Sequence, residues 1–185
     1  MKELSLNILD ISENSVKAKA TLVEISITET ENTLTIVITD NGTGMTEETR
    51  LSVVDPFYTT RTTRKVGLGI PLFKFAAEQT GGGVEIESRH IDSYPETHGT
   101  TVSATFFKNH IDYTPLGDVT ATVTTLIQGH SDIDFLYRHI FGDREVRLDT
   151  RELRAVLEEV PLDSYEVLQW ISDNLGEQYS GFYKQ

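Results

Sequence analysis

Three short segments of this 185-residue chain carry residue types whose spacing could do chemistry. Asp10 and Asn14 stand four apart, so on a helix they share one face, with Glu13 and Lys17 beside them. Asn14 offers a neutral side-chain carbonyl, the hard oxygen ligand that completes a Mg²⁺ shell otherwise made of waters and phosphate oxygens. Asp40-Asn41-Gly42-Thr43-Gly44-Met45 ends an alternating apolar run. An aspartate at a strand end can accept a hydrogen bond from an exocyclic amine while the glycines let a flat base approach the backbone, and adenine fits that description. Gly67-Leu68-Gly69 runs into a helical pattern. Such a turn presents backbone N–H groups and the positive end of a helix dipole to phosphates. Gly99-Thr100-Thr101 closes the set. Between these segments, Arg50, Arg61, Arg64 and Lys65 meet only Asp55, which makes a locally positive stretch and a candidate anion site.

The elements that must position these groups follow from periodicity. Leu4, Ile8, Ile11 and Ser15 have the spacing of one buried helical face, which predicts a helix over Leu4 to Lys19. Leu22, Val23, Ile25 and Ile27, then Leu34, Ile36 and Ile38, alternate with polar residues around a turn at Glu29 to Asn32 and read as a β-hairpin. A helix over Ile70 to Gln79, with Pro71 in its first turn, is stopped by Gly81-Gly82-Gly83. Strands follow at Val84 to Ser88 and Thr100 to Phe107. After Asn109 a connector with Pro115 leads to Asp118, which can cap a helix through Ile127, although the threonines there also suit a strand. Phe135 to Ile140 and Glu145 to Leu148 read as a second hairpin, and two capped helices follow, Leu153 to Val160 and Val167 to Leu175, the last ended by Gly176. Trp170, at helical spacing with Val167 and Ile171, reads as core.

Composition removes several classes of function. With 38% hydrophobic and 24% charged residues the chain can bury a core. The net charge of −13 argues against nucleic acid or anionic lipid as partner, and no apolar run approaches the roughly 18–20 residues of a membrane span. A cytoplasmic location is expected. Zero cysteines exclude disulfides, thiolate metal sites and Cys nucleophiles. The five histidines show no metal spacing, and Gly-x-x-x-x-Gly-Lys-Ser/Thr is missing, which excludes a P-loop.

LDISENSVKAKATLVEI, DNGTGM, DPFYTTR, VGLGIPL and HGTTV resemble, in order, the N, G1, F, G2 and G3 elements of the GHKL ATPases, the superfamily of gyrase, Hsp90, histidine kinases and MutL. DPFYTTR followed closely by GLG is most similar to sensor histidine kinases, and ENSVKAKAT is closer to MutL. The resemblance implies a Bergerat-type two-layer α/β sandwich over residues 1–109, followed by a small α+β extension over 110–185. It implies that Asn14 binds Mg²⁺, that Asp40 binds the adenine amino group, and that Gly42, Gly44, Met45 and Thr100 or Thr101 line the base. Gly67, Leu68 and Gly69 would hold the phosphates of ATP. Residues from about Thr46 to Val66 would form a lid, with Thr60, Arg61 and Lys65 reaching the nucleotide.

Two departures from the family pattern shape the functional expectation. Hydrolysing members often carry glutamate four positions before the Mg²⁺ asparagine, where this chain has Asp10, one methylene shorter as a general base. The chain also starts almost on the first motif helix, leaving no room for the dimerisation and phosphoacceptor helices of a histidine kinase, so the expectation is a chain that is not a complete sensor kinase by itself. Two functions stay open. One is a Mg²⁺-dependent protein kinase or slow ATPase acting on a protein partner with Asp10 as catalytic base. The other is a non-catalytic ATP-sensing module whose lid alters a surface shown to a partner.

Overall fold

The structure is a computed structural model that describes residues 3–54 and 68–183. The element order is α1 (Leu4–Lys17), β1 (Leu22–Glu29), β2 (Thr33–Asp40), α2 (Glu47–Ser52), α3 (Gly69–Gln79), β3 (Gly83–Arg89), β4 (Gly99–Phe107), α4 (Val119–Gly129), β5 (Asp134–Phe141), β6 (Arg144–Asp149), α5 (Thr150–Leu157) and α6 (Tyr165–Ser180). The strands form one six-stranded sheet in the order β3-β4-β2-β1-β5-β6. Only β1 and β5 run parallel; every other neighbour is antiparallel.

Period-two alternation explains the layering. Val23, Ile25 and Ile27 on β1, Leu34, Ile36 and Ile38 on β2, and Val102, Ala104 and Phe106 on β4 all point to one face and are buried there. Helices cover that face in a row, α3 over β3 and β4, α1 over β1 and β2, α4 over β5, and α6 over β6. The other face is threonine-rich, with hydroxyl pairs Thr35 to Thr105 at 3.3 Å and Thr39 to Thr101 at 3.1 Å tying neighbouring strands. This is the mixed α/β sandwich that the motifs imply.

Residues beyond Asn109 continue the same sheet. The parallel register Leu22↔Asp134 to Glu29↔Phe141 attaches β5 to β1, and β6 then becomes the edge. The connector is tied in as well, since the first free N–H groups of α1, those of Leu4 and Ser5, donate to Pro115 O at 2.9 Å and Leu116 O at 2.8 Å. The threonine-bearing stretch after Asp118 is the helix α4, whose first turn Asp118 caps by accepting from Ala121 N at 2.9 Å.

Three expectations need correction. The last helix does not end at Gly176 but continues to Ser180, because Leu175 is buried and Tyr179 packs on the core beyond it, and that burial outweighs the roughly 1 kcal/mol that a mid-helix glycine costs. Trp170 is not core: Val167 and Ile171 are buried, but Trp170 is 50% exposed on the flank of their stripe. The helix expected over Leu153 to Val160 is α5, Thr150–Leu157, because Asp149 caps its start by accepting from Arg151 N at 3.0 Å; a short helix, α2, also opens the segment after Met45, started by Thr46 accepting from Thr49 N.

Beside the far end of β1 lies a buried polar relay. Tyr137 and Tyr179 share a hydroxyl contact, Tyr179 meets His139 Nδ1 at 2.8 Å, and His139 Nε2 meets Glu29 Oε2 at 3.1 Å. Lys108 and Tyr183 also donate to Glu29, so the relay fastens the end of α6 to β1, β4 and β5. Burial alone would push the Glu29 carboxyl up, but these hydrogen bonds outweigh it and hold it down to about 2 against an ordinary 4.5. A folded-state value below the unfolded one stabilises the fold fully above about pH 4.5, and that stabilisation is lost as pH falls towards 2. Urea unfolding across this window should therefore show the parent losing stability faster than Glu29→Gln. Parallel pH curves for the two proteins would refute the assigned role.

Candidate functional site

The end of β2 is where the chemistry collects. Asp40 is the last residue of that strand, and both of its carboxylate oxygens are engaged: Ser15 Oγ donates to Oδ2 at 2.7 Å and Gly42 N donates to Oδ1 at 2.8 Å. Ser15 projects from the buried stripe of α1, so the contact joins helix to sheet. Each oxygen retains acceptor capacity towards a cavity of about 140 Å³ lined by Asn14, Asp40, Gly44, Met45, Ile70 and Thr100, among others. Apolar walls with one carboxylate on the floor suit a flat heterocycle carrying an amine.

The glycines around Asp40 are required by close approach. A Cβ on Gly42 would lie 2.7 Å from Ala18 O, and Thr43 N donates to that same carbonyl at 2.8 Å, so the turn is stitched to the end of α1. Gly44 has φ +68, and a Cβ there would come within 2.0 Å of Arg89 O. Asn41 has a structural part: its Oδ1 accepts from Thr21 N at 2.9 Å and Leu22 N at 3.0 Å, and its Nδ2 donates to Thr21 Oγ1 at 2.8 Å.

Across the sheet, Asp40 is in register with Thr100, and Thr100 with Ser88 on β3. Ser88 Oγ accepts from Met45 N at 2.7 Å and lies 2.8 Å from Thr100 Oγ1 and 3.2 Å from Gly99 O. A hydroxyl has one proton, so Ser88 giving it to Gly99 leaves Thr100 to donate to Ser88. Ser88 was not singled out from the sequence. The available signal was alternation, which puts Ser88 on the same face as buried Ile86, where a hydroxyl needs a partner.

The structure brings together Asn14, Asp40, Gly44, Met45 and Thr100. Gly42 lies beneath Asp40, behind the cavity wall. Thr101 points to the opposite face, paired with Thr39, because adjacent strand residues alternate; Thr100 is the member of the pair that lines the cavity. Gly69 opens α3 against α1, where a Cβ would sit 3.1 Å from Asp10 Cβ and 3.9 Å from Asn14 Nδ2, while Leu68 before it is exposed. The start of α3 thus abuts the face that carries Asp10 and Asn14. Arg50 turns away from the cavity, donating to Glu47 and, at 3.3 Å, to Ile86 O. Thr60, Arg61, Lys65 and Gly67 lie outside the described residues.

The family described as histidine kinase-, DNA gyrase B-, and HSP90-like ATPase matches residues 2–111. Among curated proteins, the nitrogen regulation protein NtrY of Azorhizobium caulinodans is 32% identical over 83 residues, which is 45% of this chain and 10% of NtrY. The heme sensor protein HssS of Staphylococcus saprophyticus is 30% identical over 98 residues, 51% of this chain and 20% of HssS. This chain therefore spans a fifth or less of those two proteins. Among solved structures, the MutL ATPase domain of Aquifex aeolicus complexed with ADP superposes with a TM-score of 0.55 at 18% identity, covering 85% of this chain and 70% of that one, a likeness of fold.

The backbone constraint at Gly44 can be measured directly. Gly44→Ala should lower stability by at least about 1–2 kcal/mol, the cost of a side chain in left-handed backbone, before any displacement of Arg89. Gly176→Ala, in open space inside α6, should raise stability by up to about 1 kcal/mol. Urea midpoints that move together for both variants would contradict this description of the turn.

Proposed function

This chain belongs to the histidine kinase-, DNA gyrase B-, and HSP90-like ATPase family, and on that basis we propose that it binds ATP in the Asp40 cavity with Mg²⁺, and either transfers or slowly releases the terminal phosphoryl group in the service of a protein partner. The carrying observation is the Asp40 carboxylate, held by Ser15 and Gly42 on the floor of a mostly apolar cavity. In that position it accepts from the adenine amino group, and Ile70, Met45 and Thr100 bound the ring. The phosphates then run towards the start of α3, whose free N–H groups and dipole favour negative charge.

The residues present fit Mg²⁺. Asn14 supplies a neutral oxygen at the cavity wall, and the start of α3 packs beside it, with Gly69 close against Asp10. Bound there, the ion would neutralise phosphate charge. The remaining work is positioning: Asp40 fixes the base, the α3 terminus orients the phosphates, and Asp10, exposed one turn before Asn14 and outside the cavity lining, would accept a proton from an attacking water.

A second reading, an ATP-sensing module without turnover, is favoured by Asp10 itself, whose carboxylate reaches one methylene less far than a glutamate. Protein partner and cytoplasmic location stand as parts of the proposal. Among the described residues no helix is long and apolar enough to cross a membrane.

Titration calorimetry tests the base pocket. Asp40→Asn puts an amide donor against the adenine amine and should weaken ATP binding by about 5- to 150-fold, the equivalent of roughly 1–3 kcal/mol. Unchanged affinity would remove the assignment. Turnover decides between the two readings. Basal hydrolysis should be low, and Asp10→Glu should raise it by restoring the longer reach. Brisk hydrolysis in the parent that falls about 10²–10⁴-fold in Asp10→Asn would establish aspartate as the tuned base and end the sensing reading.

A further inference from the structure

The second surface feature lies away from Asp40, between α5 and α6. Leu153, Val156, Leu157, Val160, Val167 and Trp170 line an apolar groove of about 540 Å³. Val156 is 83% exposed, and Val160 and Trp170 are each 50% exposed. A contiguous set of this kind, with a half-exposed tryptophan at its side, is what helix-binding surfaces look like before occupation.

Charge identifies the occupant. From Ala155 to Tyr183 the chain has Glu158, Glu159, Asp163, Glu166, Asp173 and Glu177 and no Lys, Arg or His. Glu166 is itself part of the groove wall. The two arginines on α5 are already committed, Arg151 to Asp149 at 2.8 Å and Arg154 to Asp134 at 2.7 Å. The groove is thus apolar at its floor and negative at its rim. A second copy of this chain would bring the same negative rim against it, and an anionic lipid surface would be repelled.

We propose that the α5–α6 groove docks a basic amphipathic helix of a partner protein, its apolar stripe on Val156, Val160 and Trp170 and its lysines or arginines over the rim carboxylates. This site stands apart from the nucleotide reading and does not depend on it.

Trp170 is the only tryptophan in the chain, so its fluorescence reports occupation directly. The full chain is titrated with a synthetic helix of about 18 residues bearing leucines at i, i+3, i+4 and i+7 and lysines elsewhere, and with the same peptide carrying glutamates for lysines. The expected result is a saturable blue shift with the lysine peptide, none with the glutamate peptide, and weakening as salt is raised. Val156→Asp and Val160→Asp, both at exposed positions, add negative charge yet should weaken binding by at least about tenfold, because the apolar seat is lost. Four results would overturn the proposal: no shift with the lysine peptide, equal binding by the parent and both aspartate variants, a Trp170 shift with phosphatidylglycerol vesicles, or a dimer in sedimentation that Val156→Asp dissociates.

Discussion

The contact between Ser15 and Asp40 fixes the relation of α1 to the end of β2, and the rest of the site is arranged around it. A half-buried carboxylate is costly unless its oxygens are satisfied, and here one oxygen is met by the helix and the other by the glycine turn. The same turn is stitched to the end of α1 through Thr43 and Ala18. Helix, strand end and turn are therefore mutually determined, and the cavity is the space left among them. Gly42, Gly44 and Gly69 permit this packing by having no Cβ at three points of close approach.

The end of the sheet that carries Asp40 also seats α5. Val23 is in register with Asp40 on one side and Phe135 on the other, so Phe135 lies two strand spacings, about 10 Å, from Asp40. Polar contacts bridge this distance. Asn41 holds Thr21; Asp134 N donates to Thr21 O at 3.0 Å; and Asp134 Oδ1 accepts from Thr150 at 3.0 Å and Arg154 at 2.7 Å, both on α5. Through α5, one wall of the apolar groove is thus anchored to the strand end two strands over from Asp40. The Glu29 relay fastens the opposite end of the sheet to α6.

Local pattern made much of this legible from residues alone. Alternation located β1, β2 and β4, helical spacing located α1 with Ser15 on its inner face, and the aspartate-glycine run at the end of β2 marked the pocket floor. What escaped was non-local. The parallel pairing of β5 with β1 joins segments more than a hundred residues apart, and no short-range pattern carries that information. Ser88 acquires its role only when β3 lies beside β4 and Met45 comes over it. Trp170 belongs to an apolar stripe whose edge faces a gap between helices, and periodicity gives the stripe without the gap. Gly176 is tolerated because of what packs on either side of it, a tertiary effect that overrides a local stop signal.

The central claim is that Asp40 selects a base by accepting from its amine, and a comparison of ATP with GTP by calorimetry on the parent protein, with Mg²⁺ present, tests it most directly. Guanine carries a carbonyl oxygen where adenine carries the amine, so the Asp40 carboxylate would meet an acceptor instead of a donor. ATP should bind, and GTP should bind at least about 10²-fold more weakly or not at all, a discrimination within reach of one buried, unsatisfied polar contact and charge repulsion together. Equal affinity for ATP and GTP would contradict the assignment of Asp40 as the base-reading residue.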